Sequence, residues 1–224
     1  MRKMRIRFKP WARPELEASY FYEDVPEKYM GKWKEKFKNS KQPLHIELGC
    51  GKGSFISELA FRNQDINYIA IDLVDAMLGL AKRKVEEKYS EKNKKVDNLI
   101  LVRYDIERIN NIINLEDGVQ RIYINFCNPW PKPKHKKKRL THTKQLEHYK
   151  EFLNKGNEIY FKTDDDGLFN DSLKYFEEAG FEILKKTFDL HNEDIFDENN
   201  IITEHEKMFS DEGIKIKALI AKLK

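Results

Sequence analysis

Short apolar runs alternate with amphipathic helical patterns along most of the chain. Runs rich in aliphatic and β-branched residues predict seven strands, at residues 44–48, 67–73, 98–105, 121–126, 157–163, 181–190 and 214–223. Apolar residues at three- and four-residue spacing predict helices at residues 55–63, 75–92, 109–115, 143–154, 166–180 and 203–213. This alternation is typical of βαβ units, so we predict an α/β fold with a mostly parallel sheet. The last two strands are close in sequence, which favours an antiparallel final strand.

Residues 1–40 stand outside this rhythm. We predict that they form a basic N-terminal arm and one helix, packed on a domain that spans residues 41–224. A chain of 224 residues is long enough for one well-buried α/β domain but short for two.

Two basic segments interrupt an otherwise acidic chain. Residues 1–13 and residues 132–139 each contain six Lys or Arg and no acidic residue, and the rest of the chain has 30 basic and 38 acidic residues. This distribution favours a localised polyanion-binding surface over nonspecific electrostatic binding. Two solvated surface loops would give the same pattern.

The cysteine content and the hydropathy indicate the cellular compartment. Only Cys50 and Cys127 are present, without a Cys-x-x-Cys pair or a His pair at metal-ligand spacing, so neither a disulfide framework nor a metal site is predicted. The basic N-terminus lacks the apolar stretch of a signal peptide, and no apolar run has the length of a membrane span. We therefore expect a cytoplasmic protein.

A glycine-rich turn follows the first predicted strand. In HIELGCGKGSF, Gly49, Gly51 and Gly53 lie where the strand passes into a helix. Glycine lets the backbone turn tightly and approach a ligand, and the helix N-terminus offers free N–H groups, so a nucleotide-like cofactor is indicated. A turn that only connects strand and helix is the alternative. The G-x-G-x-G spacing differs from that of dinucleotide binders and disfavours a nicotinamide dehydrogenase.

Carboxylates follow three predicted strands. Glu47 precedes the first glycine, Asp72 ends the second strand 21 residues after Gly51, and Asp105 ends the third strand. An acidic residue about 20 residues after the glycine turn can bind ribose hydroxyls, and ligands bind at the carboxyl ends of parallel strands. Each acid alone could be a solvated turn residue, but together they indicate a site.

This arrangement resembles the Rossmann-like S-adenosylmethionine-dependent methyltransferases, whose seven-stranded sheet has helices on both faces. The resemblance implies that Glu47 lies near the methionine moiety, that Asp72 holds the ribose and that Asp105 receives the adenine amino group. Gly49 and Gly51 belong to the same cofactor-binding turn. The segments RIRFKPWA, NFCNPWPKPKHKKKRL, FKTDDDGLF and TEHEKMF further resemble the bacterial tRNA (guanine-N7-)-methyltransferase family over nearly the whole chain.

Asn128 stands where that family usually has an aspartate, in Asn-Pro-Trp-Pro. Methylation of guanine N7 needs no general base, because N7 presents a lone pair and carries no proton. We predict that Asn128 positions the guanine or the cofactor and that the asparagine form is active. A turn residue before proline is the alternative. Cys127 lacks the preceding proline of cysteine-dependent pyrimidine methyltransferases and is expected to pack as a small buried residue.

The basic stretch after Asn128 has the chemistry of a phosphate-binding loop. We predict backbone phosphate contacts from its basic side chains, namely Lys134, Lys136, Lys137, Lys138 and Arg139, in a loop whose prolines prevent a regular helix. Trp130 could stack on a base or anchor the surface.

The resemblance also places four residues around the substrate: Lys132, Asp164, Thr203 and Glu206. A carboxylate suits the N1–H and N2–H donors of guanine. Helix capping is the alternative for residues 164–166 and for the pair Thr203 and Glu206.

We therefore predict a methyltransferase that uses S-adenosylmethionine and acts on guanine N7 in tRNA, and the family implies position 46 of the variable loop. It is expected to be a monomer or homodimer that requires no other protein partner. Two alternatives remain open: an amino-directed nucleic-acid methyltransferase of the N6-adenine type, which the Asn-Pro-Trp-Pro sequence approaches, and a noncatalytic RNA-binding protein with the same fold.

Overall fold

The computed structural model describes residues 7–193 and 200–224. Within these residues eight strands form one sheet: Tyr22–Glu23 (β1), Leu44–Leu48 (β2), Asn67–Asp72 (β3), Leu99–Arg103 (β4), Val119–Asn125 (β5), Leu153–Thr163 (β6), Phe181–Thr187 (β7) and Lys217–Leu223 (β8). The described α-helices are Ala12–Glu17 (α1), Ser54–Arg62 (α2), Asp75–Ser90 (α3), Thr143–Lys150 (α4), Asp166–Glu178 (α5) and Glu204–Asp211 (α6). Short 3-10 helices occupy Pro26–Tyr29, Trp33–Lys36, Ile106–Asn111, Leu115–Asp117 and Pro133–Lys138.

The sheet has the order β1-β4-β3-β2-β5-β6-β8-β7. All pairs from β1 to β6 are parallel, and β8 runs antiparallel to both β6 and β7. The predicted parallel sheet with an antiparallel last strand is therefore confirmed. The carboxyl ends of β2 to β6 meet at one edge, where the glycine turn and the acidic strand ends lie.

The eighth strand is a difference from the sequence prediction of seven. Tyr22 and Glu23 pair with Leu101 and Val102 at the edge of the sheet. Two residues are too few to show a period in the sequence, so this strand depends on its neighbour and not on a pattern of its own.

Helices cover both faces of the sheet, as predicted. One apolar core joins the sheet to α4 and α5 and includes Leu146, Phe169 and Phe176. The other joins it to α1, α2 and α3 through residues such as Leu16 and Leu78. The central strand β2 is buried along its whole length, including the polar residues His45 and Glu47.

The N-terminal segment is anchored on α3. Gly79 lacks a side chain where α1 approaches, and a Cβ added there would lie 2.8 Å from the Cβ of Ala12 and 2.9 Å from the ring of Trp11. The guanidinium of Arg83 stacks on Trp11 at 3.6 Å. Arg2, Lys3 and Arg5 of the predicted basic arm lie outside the described residues, as do residues 194–199. A domain boundary after residue 40 stays a prediction.

Candidate active site at the carboxyl edge of the sheet

The glycine turn uses its three glycines in different ways. All three have φ between 55° and 77°, a left-handed conformation that favours glycine. A Cβ on Gly51 would meet nothing within 4 Å, so this backbone borders open space. A Cβ on Gly53 would lie 2.6 Å from that of Ala81, so Gly53 allows α2 and α3 to pack closely. The turn therefore lets a ligand approach its backbone closely at Gly51, while Gly53 packs the turn against α3.

Asp72 is the last residue of β3 and Asp105 follows β4, the neighbouring strand, and both side chains contact the backbone. The carboxylate of Asp72 accepts hydrogen bonds from the N–H of Gly51 at 3.0 Å and from that of Val74 at 2.9 Å. Asp105 accepts one from the N–H of Glu107 at 3.0 Å. Burial raises the pKa of Asp72 above its ordinary value. Because each carboxylate oxygen has two lone pairs, these bonds leave acceptor sites for a ligand.

Glu47 carries an unsatisfied buried oxygen. Its side chain is 2% exposed, and Oε1 accepts a hydrogen bond from the amide of Asn125 at 3.2 Å. Oε2 has no hydrogen-bond partner among the described residues. Burial raises the pKa of Glu47 to about 8, although Asn125 and the charge of Lys162 act in the opposite direction. Such an oxygen is suited to accept from a cationic donor of a ligand.

Asn128 lies three residues beyond the end of β5 and is exposed. Its side-chain oxygen accepts a hydrogen bond from the N–H of Trp130 at 3.1 Å, so the turn role left open by the sequence is present. Phe126 and Trp130 have φ of 51° and 41°, which is unusual for aromatic residues. Such strain is commonly found at functional sites.

The basic stretch folds differently from the irregular loop that its prolines predicted. Pro133–Lys138 form a 3-10 helix with proline in its first turn. Lys132, Lys134, Lys137 and Lys138 are exposed, and they are suited to bind phosphates. Lys136 is paired with Asp171 at 2.7 Å.

Arg139 does not share that surface. Its side chain is 3% exposed, contacts Asp171 at 2.6 Å and donates to the carbonyl of Pro129 at 2.7 Å. It therefore holds the Pro-Trp-Pro turn against α5, and we leave it out of the proposed phosphate contacts.

Glu206 is placed differently from an open substrate-binding carboxylate. It is fully buried, and the ammonium of Lys162 contacts Oε2 at 2.7 Å. Thr203 caps α6, since its hydroxyl accepts from the N–H of Glu206 at 3.0 Å. The capping alternative is therefore realised in this structure.

Lys162, near the tip of β6, contacts both α6 and the segment before it. Besides Glu206 it donates to the side chain of Asn200 at 3.1 Å and to the carbonyl of Ile201 at 3.0 Å. Neither Lys162 nor Asn125 was identified from the sequence. The signal for both was their position, because each lies at the end of a predicted strand next to a motif.

The first turn of α6 lies beside the glycine turn. Glu204 forms an ion pair with Lys84, which also donates to the hydroxyl of Ser54 at 2.8 Å, and Ser54 is the first residue of α2. Asp164 lies at the tip of β6, where burial raises its pKa. The structure thus brings the segment with Thr203, the acid Asp164 and the glycine turn to one edge of the sheet.

Solved structures with the same fold are methyltransferases. The chain superposes on the 16S rRNA methyltransferase KamB with a TM-score of 0.56 and 12% identity, over 97% of this chain and 94% of that chain. An antibiotic-related methyltransferase gives 0.54 and 18%, over 81% and 86%. A family model described as "Putative methyltransferase" matches residues 41–219. Fold and site therefore define a Rossmann-like methyltransferase.

Curated relatives narrow this class. Proteins named tRNA (guanine-N(7)-)-methyltransferase are 62% identical in Clostridium beijerinckii, over 97% of this chain and 98% of the relative, and 60% identical in Ruminiclostridium cellulolyticum, over 99% and 93%. A relative of the same name in Clostridium perfringens is 57% identical over 98% and 99%. The chain belongs to the tRNA (guanine-N(7)-)-methyltransferase family, as the resemblance of its motifs indicated.

Among residues 7–193 and 200–224, no group of three or more His, Cys, Asp or Glu is arranged to hold a metal ion. In the same part of the chain, none of the helices combines the length and the apolar character needed to cross a membrane.

Proposed function

We propose that this protein transfers a methyl group from S-adenosylmethionine to N7 of a guanine in tRNA, at position 46 of the variable loop as the family implies. The observation that carries the proposal is identity of up to 62%, over nearly the full length, with proteins named for this activity. The site supports it, because cofactor-binding and substrate-binding candidates meet at one sheet edge. As a tRNA-modifying enzyme it would act in the cytoplasm.

The buried oxygen of Glu47 fits the cationic amino group of the cofactor. Gly49 and Gly51 would border the methionine and ribose moieties, Asp72 would accept from the ribose hydroxyls, and Asp105 would accept from the adenine amino group. Asn128 would contribute from the β5 tip. When bound, the cofactor supplies an electrophilic methyl group on a sulfonium.

The protein contributes alignment and not deprotonation. Guanine N7 offers an in-plane lone pair, so holding the base in line with the methyl donor is enough for reaction. Asp164 can accept from the N1–H and N2–H groups and fix the ring, with Lys132 and Thr203 at the edge of the same region. Lys134, Lys137 and Lys138, with Lys136 at the rim, would contact backbone phosphates.

Transfer of labelled methyl to an unmodified tRNA transcript tests the proposal. Nucleoside mass spectrometry of the product should give 7-methylguanosine. N6-methyladenosine would instead support an amino-directed enzyme, and no transfer together with no cofactor binding would support a noncatalytic RNA-binding protein. Burial raises the pKa of Cys127 to about 12, so a thiolate mechanism on a pyrimidine is disfavoured.

A further inference from the structure

Three aromatic side chains form a cluster between the end of β5 and α6. The rings of Phe126 and His205 stack with centroids 6.3 Å apart and planes 22° from parallel. Phe209 packs against both, at 6.1 Å from Phe126 and 6.4 Å from His205. Phe126 is partly buried and His205 is exposed, so the cluster presents one aromatic face to solvent.

Lys162 contacts both segments that supply the rings of this cluster. The backbone N–H of Phe126 donates to the carbonyl of Lys162 at 2.9 Å, and the ammonium of the same Lys162 holds Glu206, the neighbour of His205. The cluster is therefore fixed to the tip of β6, although Phe126 follows β5 and the other two rings belong to α6.

Phe126 keeps an unfavourable backbone to reach this place. Its φ of 51° is a left-handed conformation that a bulky residue adopts at a cost. It lies between Asn125, which contacts Glu47, and the turn of Asn128. Strain kept between two site residues points to a function for the ring.

Asp164, proposed above to accept from the guanine edge, lies beside this cluster. Phe126 and Phe209 pack against Ile216 and Ala218, and Lys217, which lies between those two residues in sequence, donates to the carbonyl of Asp164 at 2.9 Å. Glu204, which precedes His205, is paired beside the first turn of α2. The exposed ring thus faces the region between the glycine turn and Asp164.

We infer that His205, supported from behind by Phe126, is the platform on which the target purine stacks once it leaves the RNA stack. This rests on the proposed function and assigns two residues to it. Aromatic platforms hold unpaired bases through their π faces, whatever the base. Stacking fixes the plane of the ring, and Asp164 reads its edge, so the platform sets which ring atom meets the methyl donor.

The test uses a fluorescent purine in place of the target. Mass spectrometry of the wild-type product first identifies the methylated nucleotide, and 2-aminopurine is then placed there in a tRNA transcript. Binding to wild type should quench the fluorescence, His205→Phe should keep the quenching, and His205→Leu should lose it. A product other than 7-methylguanosine would overturn the proposed function. The probe follows whichever nucleotide is methylated, so the quenching would still test the stacking platform.

Kinetics provide a second readout. On unmodified transcript, His205→Leu should lower kcat/KM by roughly ten- to a hundredfold, and His205→Phe should restore most of it. Cofactor affinity, measured by calorimetry, should be unchanged in both variants. Tyr20→Leu is the control, because Tyr20 is also an exposed ring packed on a phenylalanine but lies in the N-terminal segment before β1. Quenching and kcat/KM that stay at wild-type level in His205→Leu would overturn the inference.

Discussion

At the scale of single residues, the carboxylate of Glu47 shows how burial prepares a group for a ligand. It was expected near the methionine moiety from its place before the first glycine. The sequence could not show that one oxygen would be bonded to Asn125 and the other left without a partner, because that depends on the register of β2 and β5. Lys162 and Asp72 are the charged groups that act on it.

Cofactor binding should release a proton from Glu47. With a pKa of about 8 the side chain is mainly protonated at pH 7 in the free protein, and a cationic partner favours the carboxylate. Affinity for S-adenosylmethionine should therefore rise as the pH approaches about 8 and fall above it, where the amino group of the cofactor loses its own proton. Calorimetry in two buffers with different ionisation enthalpies measures the proton release.

The Glu47→Gln variant is the control for this prediction, and it should bind without proton release. The raised pKa also affects the cofactor-free fold. Its contribution to stability is fully present below the unfolded value of 4.5 and is lost as the pH rises through about 8. Equal proton release by wild type and variant would contradict the assignment.

Asn128 tests whether positioning alone is enough. Asn128→Asp should change kcat by far less than the roughly 10²- to 10⁴-fold that a general base contributes. Asn128→Ala should lower kcat/KM about tenfold, the worth of one hydrogen bond. Single-turnover methylation of unmodified tRNA measures both. An inactive asparagine enzyme that is rescued by aspartate would refute positioning without a base.

At the scale of elements, strand and helix positions were predicted closely where a run of residues carries its own period. β2 was predicted at its observed bounds, and α2 and α3 within two residues at each end. The 3-10 helix Pro133–Lys138 was missed because a short helix has no hydrophobic period to detect. The burial of Arg139 and Glu206 was missed for a related reason, since their partners Asp171 and Lys162 are distant in sequence.

Loss of the Lys162–Glu206 ion pair, which joins β6 to α6, should lower the stability of the fold. Lys162→Met removes the ammonium from the buried carboxylate of Glu206, which then keeps the amide of Asn200 at 3.2 Å and the ring of His191 at 3.7 Å. The free energy of unfolding should fall by about 3–5 kcal/mol. The double variant Lys162→Met/Glu206→Leu should recover most of this loss. Urea denaturation measures both.

Lys36→Met is a suitable comparison, because it breaks the Lys36–Glu23 pair, which lies nearer the surface at the opposite edge of the sheet. It should cost less than Lys162→Met. Equal losses of unfolding free energy in the two single variants would show that the Lys162–Glu206 pair stabilises the fold no more than an ordinary ion pair nearer the surface.

At the scale of the whole molecule, the basic stretch and the candidate active site lie at the same edge of the sheet. The basic stretch follows β5 and therefore starts at the carboxyl edge, where the glycine turn and Asp164 also lie. The sequence predicted the basic segments and the acidic remainder, because these follow from counting. It did not separate lysines that face solvent from basic residues paired with Asp171, since that pairing needs the packing of α5.

Replacing Lys134, Lys137 and Lys138 by alanine should weaken tRNA binding and flatten its dependence on salt. Each lost phosphate contact should reduce the slope of log K against log salt by about 0.7–0.9. Fluorescence anisotropy over a range of salt concentrations measures the slope.

Alanine at Lys92, Lys94 and Lys95 makes the same change in net charge at exposed positions of the loop that leads into β4. This control should leave the slope close to wild type. Identical slopes in both triple variants would mean that net charge, and not the basic stretch, governs binding.

The placement of β8 between β6 and β7 has a consequence for biosynthesis. Both flanking strands leave the ribosome before β8 does, and β7 can join the sheet only through it. Lys217, its first residue, also donates to the carbonyl of Asp164 at 2.9 Å. A nascent chain therefore cannot attach β7 to the sheet, or form the contact between Lys217 and Asp164, until this late strand has been translated.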